Sequence, residues 1–134
     1  MKSLITALIL TVTVVSASYS AGNPKATLEI KQNTVSSLMN GLNSENLGLM
    51  SSSAYMIGEL QLTNAVIPLM KILREDKNED LRIAAALALY KIGTPLAINA
   101  VKQSARFDNS QRVSKLCANF YYEHLKNKFA DEEK

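Results

Sequence analysis

The stretch Asn64-Ala65-Val66-Ile67-Pro68-Leu69-Met70-Lys71-Ile72-Leu73-Arg74-Glu75-Asp76, followed by Leu81-Arg82-Ile83-Ala84-Ala85-Ala86-Leu87-Ala88-Leu89-Tyr90-Lys91-Ile92-Gly93, decides the fold. In its first half Val66, Leu69, Met70 and Leu73 fall at i, i+3, i+4 and i+7, the spacing of one buried stripe on a helix. In its second half every position from Leu81 to Ile92 is apolar except Arg82 and Lys91. Such a helix has no face to give to water and must be covered on several sides. Asn78 or Asp80 can cap its start, Glu79 and Asp80 place acids in its first turn, and Gly93 ends it. The stretch is a helical hairpin with a short polar loop.

Parts of this hairpin recur. Ile57-Gly58, Tyr55 and Asn64-Ala65-Val66 return as Ile92-Gly93, Tyr90 and Asn99-Ala100-Val101, all at an offset of 35 residues, while Ser37 to Leu42 aligns with Pro68 to Leu73 at 31. A period in this range is that of a helical solenoid. Val35, Leu38, Met39 and Leu42 then form the stripe of a first helix, and Leu47, Met50, Ala54 and Ile57 that of a second, with Gly58 placed to stop it in a left-handed cap. A third unit opens on Thr94-Pro95, a hydroxyl cap with proline at the first helical position. Its first helix, about Pro95 to Phe107, buries Ala97, Ala100, Val101 and Ser104. Its second, about Ser110 to Lys126, buries Val113, Leu116, Cys117 and Phe120.

With these residues in view, the central hairpin resembles a HEAT repeat of the bacterial, phycobilisome-lyase-like kind. Pro68 falls where that family bends its first helix, and Arg82 where the family's arginine bonds to loop acid and carbonyl groups, with Asp76 as the matching acid. In units one and three the pattern decays: Gly48 or Leu47 stands in the place of Arg82 in one, Arg112 in the other. The resemblance implies an all-α fold, a short right-handed α-solenoid of about three HEAT-like hairpins and about six helices. It also implies that the second helices line a concave binding face.

Residues 1–20 read as a secretory signal peptide: Lys2, an apolar run from Leu4 to Val15, then small residues through Ser20. Cleavage is expected after Ser20, with Ser18 or Gly22 as alternatives. The run is shorter than the roughly 20 residues a membrane span needs, so no transmembrane segment is expected after cleavage. An exported, periplasmic or secreted bacterial protein is the expectation. Residues 21–26 read as a linker, 27–128 as the repeat domain and 129–134 as a charged tail. Cleavage leaves 114 residues, enough for one core. The single cysteine cannot form an internal disulfide, so packing alone must hold that core.

No catalytic constellation emerges. Cys117 and His124 lie about 10.5 Å apart along one helix axis, too far for a thiolate–imidazole pair. One histidine and one cysteine make a poor zinc site. Asp76-Lys77-Asn78-Glu79-Asp80 starts like a calcium loop, but its sixth position is Leu81 and its twelfth Leu87. No metal, cofactor or enzymatic activity is therefore expected, and a lyase-like chromophore protein is only a remote reading.

Binding remains. Tyr55 and Tyr90 occupy matching places in two hairpins, and Tyr121 and Tyr122 crowd the last. They read either as a recognition strip or as filler between hairpins. The concave face implied by the resemblance makes Tyr55, Tyr90, Lys91 and Tyr122 the candidate contacts for an unidentified protein partner. Thr94 to Lys128 carries six basic residues against two acids, so Lys102, Arg106, Arg112 and Lys115 form a candidate patch for an anionic envelope component, a lipid headgroup or polymer. An exported chain meets no nucleic acid. With three units, near the minimum for a stable solenoid, a monomer or weak edge-to-edge dimer is expected.

Overall fold

The computed structural model describes residues 24–132. Within them lie α1 (Pro24–Leu42), α2 (Leu47–Glu59), a 3-10 turn (Thr63–Ala65), α3 (Val66–Glu75), α4 (Glu79–Ile92), α5 (Pro95–Phe107) and α6 (Gln111–Glu132). Consecutive pairs form three hairpins. The described residues contain no strand, and no described helix is long and apolar enough to cross a membrane. Residues 1–20, expected to be a signal peptide, lie outside them. Residues 24–26, expected in the linker, already belong to α1, since Pro24 takes a first helical position where its missing N–H costs nothing. Most of the expected tail is helical as well, because no glycine or proline interrupts α6 before Glu132.

The apolar α4 sits at the centre, packed by α2, α3, α5 and α6. Its Leu81, Ala85, Ala86, Ala88 and Leu89 join Leu42, Ala54, Ile57, Leu69, Leu73, Val101, Val113 and Cys117 in one core. Asn78 caps its start by accepting from the Leu81 amide, and Gly93 ends it at φ 71°. Thr94 caps α5 ahead of Pro95. Leu47, expected on a buried stripe, is 50 % exposed, because as the first residue of α2 it projects beyond the hairpin's core.

All three intra-hairpin loops share one construction. The Asn46 amide donates to Ser44 Oγ, and the Leu49 amide to Asn46 Oδ1. The Asn78 amide donates to Asp76 Oδ1, and the Leu81 amide to Asn78 Oδ1. The Ser110 amide donates to Asp108 Oδ1, and the Val113 amide to Ser110 Oγ. These loops recur every 32 residues, so the structural register is 32 and the matches at 35 lie about one helical turn out of step.

The corrected register revises Gly58. It is no cap: it lies buried inside α2, where a Cβ would stand 2.9 Å from the Ala88 Cα. The left-handed residue after α2 is instead Gln61, at φ 50°, whose side chain donates to the Lys91 carbonyl at 3.1 Å. In the same register Arg82 corresponds to Met50 and Ser114, and neither Gly48, Leu47 nor Arg112 occupies its place. Pro68 falls in the first turn of α3, just after the 3-10 turn, and so disrupts no helical hydrogen bond.

Candidate functional site

Arg82 is the anchor between hairpins two and three. Its Nη1 donates to the Asp76 carbonyl at 2.9 Å. Its Nε and Nη2 form a fork on Asp108 at 3.2 and 2.9 Å, and Nη2 also reaches Asn109. The acid paired with Arg82 is thus Asp108, whereas the expected acid, Asp76, contributes its main-chain oxygen and spends its carboxylate on the Asn78 amide. A loop acid 26 residues downstream was invisible to spacing arguments made within one hairpin.

The second helices expose the face that carries the candidate residues. Tyr55 of α2 is 50 % exposed, and Lys91 of α4 lies over its ring with Nζ 4.6 Å from the centroid. Glu59, one turn along α2, pairs with the same ammonium. The hydrogen bond from Lys91 holds the Glu59 carboxyl below its ordinary range, and that bond raises the Lys91 ammonium above its own. Glu59–Lys91 and Asp80–Arg112 are both pairs 32 residues apart, one rung of the register each. That spacing is the signal by which Glu59, missed in the sequence, could have been found.

The four candidate contacts do not form one strip. Tyr90 is half-buried and stacks on Phe120 of α6, with centroids 5.7 Å apart and planes at 16°. It joins α4 to α6, whereas Tyr55 sits between α2 and α4. Tyr122 is 67 % exposed on α6. A cleft of about 400 Å³ borders Lys91, Tyr90 and Glu59, with Gly58, Gln61, His124 and Asn127 also in its wall. A larger cleft, about 710 Å³, lies on the opposite side between α3 and α5, over the Arg82 anchor and beside Phe107.

The basic candidates divide likewise. Arg112 is engaged by Asp80 at 2.7 Å, with Glu79 at 4.0 Å. Lys102 is half-buried with Nζ 5.5 Å from the Tyr121 ring, Arg106 lies 5.9 Å from the Phe107 ring, and Lys115 is exposed on α6. Cys117 is fully buried, and desolvation pushes its thiol up to about 12, with Asp108 adding to the shift. A thiol this far from ionisation at neutral pH is a core side chain and no nucleophile.

Antiparallel helical hairpins stacked at a constant spacing of 32 residues, with the same loop construction in each, define an α-solenoid. The family model for HEAT repeats matches residues 35–119, and the chain belongs to that family. No curated protein is similar enough to match it. HEAT repeats are in general protein-interaction scaffolds.

Proposed function

We propose that this chain is an exported, non-catalytic interaction module, periplasmic or secreted, whose protein partner docks on the second-helix face around Tyr55 and Lys91. The observation that carries this reading is a large aromatic ring left half in water yet held in place. Lys91 covers one face of Tyr55 while Glu59 pins the lysine, so little side-chain freedom is left to lose on binding. Aromatic anchors of this kind dominate binding energy at interfaces. The cleft beside Lys91 offers an adjoining recess. Export is supported by the run Leu4–Val15 and the small residues Ser18 and Ser20.

The test is crosslinking in the native envelope followed by affinity capture, comparing wild type with Tyr55→Ala and Lys91→Ala. Each substitution is expected to weaken capture of a specific protein by about tenfold or more, with little change in melting temperature, since both side chains lie at the surface. Equal capture by all three forms would refute the site. Tyr90→Ala serves as the contrast: losing its stack on Phe120 lowers stability first.

A second reading, the anionic envelope component, rests on Lys102 and Arg106, which lie one helical turn apart on α5 with no acid partner among the described residues. If it holds, Lys102→Glu with Arg106→Glu abolishes binding to anionic vesicles, and wild-type binding falls steeply with salt. Binding that persists in the charge-reversed form excludes it.

A further inference from the structure

The cleft of about 710 Å³ runs between α3 and α5 and ends at the loops of hairpins two and three, away from the Tyr55 face. Its volume is that of a small-ligand site. The small buried side chains of Ala100 and Ser104 keep its floor low. Asn99, Gln103 and Phe107 follow one another along its α5 wall at i, i+4 and i+8, and Arg74 and Lys77 stand at its loop end. All five are exposed, Phe107 by 75 %.

The fold does not use these polar groups. Among the described residues, no hydrogen bond or ion pair engages the side chains of Arg74, Lys77, Asn99 or Gln103. Two acids border the cleft with their carboxylates already committed, Asp76 to the Asn78 amide and Asp108 to Arg82. Glu75 borders it too, on the ridge shared with the next cleft, between α1 and α3. The repeat does not require the set either. One register step earlier, Leu42, Ile67, Lys71 and Glu75 stand in the places of Arg74, Asn99, Gln103 and Phe107, and the cleft there is about 250 Å³. A role in stacking hairpins would have repeated with the hairpins.

We propose that this cleft binds a short extended peptide segment that carries an acidic side chain beside an apolar one. A carboxamide offers both donor and acceptor, the complement of a main-chain peptide group. Asn99 and Gln103 lie about 6 Å apart along α5, close to the roughly 6.6 Å after which an extended chain presents N–H and C=O again on the same edge. From Asn99 to Phe107 the wall is about 12 Å long, the reach of about four extended residues. The exposed Phe107 ring takes the apolar side chain. Arg74 and Lys77 take the acid, since the carboxylates of Asp76 and Asp108 are engaged elsewhere. A basic segment would meet two cations of its own sign, and a neutral glycan would leave them unanswered.

Two acetylated, amidated peptides, Ser-Thr-Leu-Glu and Glu-Leu-Thr-Ser, probe the two possible chain directions by NMR titration of the isotope-labelled protein. At least one of them should shift the side-chain amide resonances of Asn99 and Gln103 saturably. Glutamine in place of the peptide's glutamate, or Arg74→Glu in the protein, should each weaken that binding by about threefold or more. Asn99→Ala combined with Gln103→Ala should weaken it by about tenfold, with the melting temperature unchanged because both side chains are exposed. Amide resonances that neither peptide moves, equal binding when lysine replaces the peptide's glutamate, or a double-alanine form that binds like wild type would each overturn the proposal. Shifts produced by cellotriose and by neither peptide would overturn it in favour of a glycan. Tyr55→Ala leaves the titration unchanged, so failure here is distinguishable from failure of the partner face.

Discussion

Replacing Arg82 with alanine is expected to destabilise the domain by about 3–5 kcal/mol, because this α4 side chain ties together the loops of hairpins two and three. The side chains of Arg82 and Asp108 are 8 % and 7 % exposed, so the ion pair gains little from water and the acid left behind would be buried without its counter-charge. The guanidinium also satisfies the Asp76 carbonyl and Asn109, which lose a donor together with it. In a domain of this size such a loss lowers the melting temperature by roughly 15 °C or more. Asp108→Asn should cost less, because an amide oxygen still accepts from Arg82 and from the Ser110 amide while the charge is gone. Urea denaturation of Arg82→Ala, Asp108→Ala and the double variant measures the coupling directly, expected at about 1–3 kcal/mol. A cost below about 1 kcal/mol for Arg82→Ala would mean that water replaces the guanidinium and that hairpins two and three hold together by apolar packing alone.

That anchor marks where sequence reasoning stops. The helices themselves were legible, because each is specified by its own residues: the stripe of Val66, Leu69, Met70 and Leu73, the Asn78 and Thr94 caps, the left-handed Gly93 and the all-apolar α4. What joins one hairpin to the next was not legible, since those contacts carry no local signal. Asp76 was the nearer acid, yet Asp108 is the one whose carboxylate faces Arg82. Tyr55 and Tyr90 matched as letters at 35 residues, but the true register of 32 sends one to Lys91 and the other to Phe120. The candidate partner site was half legible for the same reason. Lys91 and Tyr55 do meet, but the residue that fixes them, Glu59, emerges only once the rungs are counted from the loops.

Gly58 is the sharpest instance of a letter with two meanings, and it yields the second large effect. Glycine inside a helix is disfavoured by about 1 kcal/mol relative to alanine, so helix propensity alone makes Gly58→Ala a stabilising change. Packing opposes it. The new Cβ would lie 2.9 Å from the Ala88 Cα and 3.3 Å from the Ala88 Cβ. The nearer atom belongs to the backbone of the central helix, which cannot swing aside as a flexible side chain would, and overpacking of this kind costs about 1–3 kcal/mol. Gly58→Ala is therefore expected to be net destabilising by about 1 kcal/mol and Gly58→Leu by about 3 kcal/mol or more, read from chemical denaturation. Ala88→Gly relieves only the Cβ contact, because the Cα remains, and itself costs about 1 kcal/mol of helix propensity, so Gly58→Ala with Ala88→Gly should lose less than the sum of the two single losses without returning to wild-type stability. A Gly58→Ala protein more stable than wild type would show that α2 and α4 can separate without penalty. Their separation has a second consequence, because Tyr55 and Glu59 ride on α2 while Lys91 rides on α4. Moving the helices apart breaks the triad that holds the exposed ring, so Gly58→Leu is expected to lose partner binding together with stability, whereas Tyr55→Ala loses binding alone.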